Sequence, residues 1–169
     1  MREAEDHGIG VVGRRRRHLA GCQLAILGKD GDIGERSPDV GGDTLFASMY
    51  EAYEALSPTL AGFLDGLEAL HSGRDAYQGY FGRGADSMRD NTFPEAVHPV
   101  VRTHPVTGRK ALFVNRSFTS HIIGLEDEES RAVLEFLYQH LTHPNFQCRF
   151  RWRENSIALW DNRCVQHTG

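Results

Sequence analysis

Cysteine is scarce in this chain. Cys22, Cys148 and Cys164 are an odd number with no C-x-x-C spacing, which excludes a disulfide framework and a cysteine-based zinc site. Long apolar runs are also missing. No stretch approaches the length that crosses a bilayer, and Arg14 to Arg17 arrive before anything resembling the apolar core of a secretory signal, so a cytoplasmic location with no membrane partner is expected. Positive charge is not in excess: the formal net charge is −4, which argues against nucleic acid as a partner. Repeats are absent. With 169 residues, 40% of them hydrophobic and 25% charged, the composition is that of one globular domain with a real core.

The most informative stretch is the last one, Asn145 to His167. Phe146, Cys148, Phe150 and Trp152 alternate with Gln147, Arg149, Arg151 and Arg153, which predicts a strand with one buried and one solvated face. Glu154-Asn155-Ser156 has turn chemistry, and Ile157 to Trp160 is a short apolar run, so a hairpin between the two runs is expected. Asp161-Asn162-Arg163 breaks the second run and leads over a short loop to His167. A histidine delivered to the mouth of a β-structure is a candidate metal ligand, against the plainer reading of a surface histidine. Asp161 reads as structural, because a residue that opens a turn is well placed to accept from nearby backbone amides.

Upstream, residues 1–40 show no clear period and are expected to form a divergent, disordered segment; only Cys22 to Leu27 could be a strand. Order begins at Gly41. Gly41-Gly42-Asp43 is a turn before a short strand at Thr44, and Ser48 with Glu51 forms a capping box for a helix reaching Leu56. Ser57-Pro58 starts another helix with Leu60, Phe63, Leu64 and Leu67 on its buried face. Leu67 to His71 is a candidate strand. Residues 72–96, with Tyr77, Tyr80 and Phe81, have the composition of a loop or lid. Val97 to Thr103 and Lys110 to Val114 predict a second hairpin around Pro105 to Gly108. The strongest helix begins at Asp127-Glu128-Glu129, buries Val133, Leu134, Leu137, Tyr138 and Leu141, and is closed by Pro144. Paired strands with inserted helices make an α+β domain built on an antiparallel sandwich or barrel.

Four stretches in order, G-G-D-T-L-F-A from Gly41, H-P-V-V-R-T-H-P from His98, L-F-V-N-x-x-F-T from Leu112 and W-D-N-R-x-x-Q-H ending at His167, resemble the taurine dioxygenase family of iron(II)/2-oxoglutarate oxygenases. The resemblance runs over about three quarters of the chain. It implies an incomplete double-stranded β-helix, or jelly-roll, with inserted helices, and a partial catalytic domain over 41–169. It implies Fe(II) as metal and 2-oxoglutarate as co-substrate, with His167 as the distal iron ligand. By the same resemblance Thr44 donates to the far carboxylate of 2-oxoglutarate, and Phe118 lines a sulfonate pocket. The implied reaction is oxidative desulfonation of taurine or a related alkylsulfonate by O2, giving sulfite, succinate and CO2.

The departures from that family define a second expectation. Its other two ligands come as His-x-Asp upstream of the G-G-D-T stretch, yet none of the nine histidines here is followed two places later by Asp or Glu. The family's arginine pair lies beyond the last ligand, and such a fork gives anions a two-point grip that lysine cannot reproduce. Impaired iron binding and turnover are therefore expected, from a chain truncated or altered at both ends. Two other readings stay open. One is a non-catalytic remnant or subunit-interaction fragment, with a homo-oligomer allowed. The other is an anion- or nucleic-acid-binding module using Arg14 to Arg17 with Arg149, Arg151 and Arg153, opposed by the net charge.

Overall fold

A computed structural model describes residues 9–12, 41–74, 94–153 and 156–168. The expectations for Cys22 to Leu27, for the four-arginine run and for the aromatics Tyr77, Tyr80 and Phe81 lie outside the described residues. In chain order the elements are β1 (Ile9–Val12), β2 (Thr44–Ser48), α1 (Met49–Glu54), α2 (Pro58–Leu64), β3 (Glu68–Ser72), β4 (Glu95–Pro99), β5 (Val101–Thr103), β6 (Lys110–Leu112), β7 (Thr119–Ile122), α3 (Asp127–Leu141), a 3-10 turn (Pro144–Phe146), β8 (Gln147–Phe150), β9 (Ile157–Trp160) and β10 (Val165–Thr168). Every pairing between strands β1 to β4 and β7 to β10 is antiparallel, with helices between strands in sequence. The architecture is α+β. No described helix is long and apolar enough to cross a membrane.

The chain divides into two compact units: 1–55 with 103–111 and 141–169, and 56–102 with 112–140. In the first, β2 is the centre of a three-stranded sheet in the order β10-β2-β8. Gly41 and Gly42 lead into it at φ of 87° and 71°, backbone that a side chain at either position would resist. Thr44, Phe46 and Ser48 alternate onto the buried face. Phe46 is fully buried, with its ring 5.1 Å from Trp160 and 6.4 Å from Phe150, and burying such an aromatic contributes about 2–3 kcal/mol. The Ser48 hydroxyl accepts from the Glu51 amide at 3.3 Å, so the strand turns into α1 through the expected cap.

The expected hairpin of the last stretch does not form. β8 pairs with β2, Phe150 opposite Thr44, and β9 pairs with β1, Trp160 opposite Ile9. Residues 151–156 are too many to close a tight two-residue turn, and β2 supplies a longer alternating partner. Trp152, expected within the strand, follows it, and its ring packs edge-on to Phe150 at 4.8 Å.

In the second unit the sheet order is β4-β3-β7. Val97 to Thr103 is two strands and not one: Pro99, which has no N–H for a ladder, ends β4, and Val100 is fully buried before β5 begins. The Val100 amide donates to Leu67 O and its carbonyl accepts from Phe113, both at 2.8 Å. β5 and β6 pair as the second expected hairpin. Ser57 caps α2 as expected, accepting from Leu60 at 3.3 Å, but only Leu64 of its anticipated face is fully buried, and Phe63 is 46% exposed. A helix of seven residues turns too few side chains inward for a continuous stripe. α3 matches its expected span: Leu134, Leu137 and Leu141 are buried, and Ser130 accepts from the Ile122 amide at 2.8 Å, tying the helix to β7.

Candidate functional site

Thr44 and His167 share one face of the β10-β2-β8 sheet. His167 lies opposite Phe46 and Phe150 opposite Thr44, and Thr44 and Phe46 are two apart on β2, so all four side chains emerge on the same side. Thr44 and His167 are thus diagonal neighbours across the ladder, about 7 Å apart by strand geometry. His167 was expected after a short loop; it is the third residue of β10, whose ladder with β2 fixes its backbone. Its ring packs 4.8 Å from Trp160 and 6.0 Å from Phe46, and this partial burial lowers its pKa below the ordinary 6.5. Neither ring nitrogen has a hydrogen-bond partner among the described residues. A deprotonated imidazole with an unengaged lone pair is the form that coordinates a metal.

Thr44 is buried, and its hydroxyl oxygen accepts from Trp152 Nε1 at 2.9 Å. The hydroxyl proton has no acceptor among the described residues. That leaves one directed donor on the face that carries His167, the chemistry that meets a carboxylate. Trp152 therefore orients the threonine, a role its place in the alternating run did not signal.

A second cluster in this unit was not visible in the sequence. Asp161 and His104 are each 3% exposed and bond through Oδ2 and Nε2 at 3.1 Å. His104 Nδ1 accepts from the amides of Val106 at 3.3 Å and Thr107 at 3.2 Å, which puts the ring proton on Nε2, pointing at the carboxylate. Asp161 Oδ1 also accepts from the Arg163 amide at 2.9 Å, and both carboxylate oxygens accept from the Arg163 guanidinium. Burial by itself would raise the Asp161 carboxyl, but the Arg163 and His104 bonds outweigh it and hold the pKa at about 2. Possible ligand atoms of His104, Asp161 and Cys164 lie within 4.8 Å of one another. They do not make a metal site: Arg163 already neutralises the carboxylate, and both ring nitrogens of His104 are committed. As anticipated, Asp161 accepts from a turn amide; its second partner, 57 residues away, has no local signal in the sequence.

Phe118 belongs to the second unit. It is 40% exposed and lines an open cleft of about 280 Å³ with Ser72, Arg74 and Glu95. Asn115 Oδ1 accepts from the Phe118 amide at 2.8 Å and Ser72 donates to the Phe118 carbonyl at 2.8 Å, so the backbone that presents the ring is held on both sides.

A profile of the family described as "Taurine catabolism dioxygenase TauD, TfdA family" matches residues 34–169. The chain belongs to that family. Among relatives of the TauD/TfdA chain is a Schizosaccharomyces pombe protein named for alpha-ketoglutarate-dependent sulfonate dioxygenase activity. It is 47% identical over 131 residues, which is 77% of this chain and 33% of the relative. An alpha-ketoglutarate-dependent 2,4-dichlorophenoxyacetate dioxygenase of Cupriavidus pinatubonensis is 39% identical over 132 residues, 78% of this chain and 46% of that one. Among solved structures, AAD-2 in complex with Mn(II) and N-oxalylglycine superposes with a TM-score of 0.68 at 30% identity, covering 78% of this chain and 48% of that chain. The chain thus spans about a third to a half of the length of the relatives it matches.

TauD/TfdA proteins are oxidoreductases that use iron(II) and 2-oxoglutarate. A non-haem iron(II) centre of this kind takes two histidines and one carboxylate. His167 offers chemistry suited to one of those positions: partial burial lowers its pKa and so favours the neutral ring, β10 holds its backbone, and its ring nitrogens have no hydrogen-bond partner among the described residues. Among the described residues, however, His167 belongs to no group of three potential ligands. The described residues alone therefore do not complete an iron site.

Proposed function

We propose that this chain contributes the distal-histidine segment of an iron(II)/2-oxoglutarate-dependent dioxygenase acting on taurine or a related alkylsulfonate. The observation that carries the reading is the pairing, on one sheet face, of an imidazole and a buried hydroxyl proton that, among the described residues, have no hydrogen-bond partner and no acceptor. Iron(II), 2-oxoglutarate and O2 would supply oxidative hydroxylation of the carbon beside the sulfonate; loss of sulfite then leaves that carbon as an aldehyde, and 2-oxoglutarate gives succinate and CO2. His167 offers its lone pair to the metal, and Thr44 donates to the far carboxylate of 2-oxoglutarate. The antiparallel sheets support a partial jelly-roll over 41–169, to which the otherwise divergent segment 1–40 adds β1 beside β9. The relatives' names, one for sulfonates and one for an aryloxyacetate, support an anionic organic substrate and leave its head group as the finer part of the proposal.

The absence of a His-x-Asp pair from the sequence and the single candidate ligand on the described face favour a second reading: impaired or absent turnover in a chain that pairs with a like subunit, with β8 and β10 the outer strands of their sheet among the described residues. Taurine-dependent succinate and sulfite formation, and metal binding, in the full chain and in His167→Ala separate the readings. Turnover abolished by the substitution is expected for the first. No turnover, with metal binding that needs His167, supports the second. Metal binding indifferent to the substitution overturns both.

A further inference from the structure

We propose that Asp161, gripped by His104 and Arg163, is a positioning group that sets the register of β10 and so decides which sheet face receives His167. The proposal rests on the reading of His167 as a ligand only for its consequence, not for its geometry. β10 is V-Q-H-T, four residues with a single apolar side chain, Val165, to prefer the buried side. So short and polar a strand specifies its own register weakly, and a slip by one residue would turn His167 to the opposite face.

What precedes β10 is not weakly specified. The Asp161 carbonyl accepts from the amides of Cys164 and Val165 at 3.0 Å each, and its carboxylate accepts from the Arg163 amide, so the side chain and carbonyl of one residue close the whole turn. Met49 donates to the Cys164 carbonyl at 2.9 Å, one step before the ladder opens with Val165 opposite Ser48. The turn's outer anchor is His104, oriented by the amides of its own loop and donating to Asp161 across 57 residues of sequence. Compared with an apolar residue of similar volume, a buried ion pair is a weak source of net stability, because both charges must leave water; selecting one register among several is a better-attested use of such a group. Two residues after the clamped Val165 stands His167.

Nuclear Overhauser contacts in the full chain read the register directly, without metal. The wild type should show the His167 ring against the Trp160 indole, at a 4.8 Å centroid separation, and cross-strand contacts from His167 to Phe46. In Asp161→Asn one oxygen becomes an N–H group that meets either the His104 N–H or, with the amide flipped, the Arg163 donors, and these contacts should be lost or split between registers, while the ring contact of His71 with Phe113 in the second unit persists. Should Asp161→Asn leave the first unit unfolded, Arg163→Lys, which keeps the charge and removes the fork, carries the same expectation more mildly, a partial loss. Folded first-unit signals with wild-type His167 contacts in either variant overturn the proposal. Register loss in these variants, together with metal binding unchanged in His167→Ala, would leave the clamp standing and remove the ligand reading.

Discussion

Asp161 is where acid should act on the first unit. Its folded pKa of about 2 lies below the ordinary 3.8, so the charged carboxylate contributes stability that is fully present above pH 4 and is lost as pH falls toward 2. A depression of this size corresponds to about 2 kcal/mol. Urea unfolding at pH 6 and at pH 2.5 should show Asp161→Asn well below the wild type at the higher pH and close to it at the lower. Equal gaps at both values would mean that the carboxylate's charge is not what matters. Trp152→Phe keeps the aromatic packing on Phe150 but removes the donor to Thr44, and should cost about 1 kcal/mol in the same measurement. At this scale the sequence was partly legible. Thr44 and His167 could be named from their motifs, and the face they share follows once β2 and β10 are known to pair. His104 and Trp152 could not be assigned their roles, because their partners are 57 and 108 residues away and nothing local records them.

Strands and helices divide differently. Helix starts are local chemistry, and Ser48 and Ser57 could be read as caps because the acceptor and the amide it serves are three residues apart. Ser48→Ala should lower the stability of the first unit by about 1 kcal/mol in chemical denaturation. Strand partners are not local. The alternation of residues 147–150 revealed a strand but not that β2 would take it, since any alternating neighbour satisfies the same pattern. β2 is consequently the element on which the first unit depends. Phe46→Ala, which empties the space between Trp160 and Phe150, should cost about 3–5 kcal/mol and unfold the β10-β2-β8 sheet before the second unit, as read by amide hydrogen exchange. Protection lost equally in both units would contradict that order.

For the molecule as a whole, membership of the TauD/TfdA family follows from a match over residues 34–169, and four short motifs in order carried that inference from sequence alone. The two-unit division was not legible, because the chain leaves the first unit after Ala55 and returns to it twice, at Thr103 and at Leu141. No periodicity encodes such a path. The central claim is that the His167 face is built for a metal and a carboxylate together. Histidine-selective NMR during an anaerobic titration with iron(II), with and without 2-oxoglutarate, tests it most directly. Paramagnetic broadening of His167 is expected ahead of the other histidines, strengthened by 2-oxoglutarate. Broadening that spares His167, or that 2-oxoglutarate leaves unchanged, would contradict it.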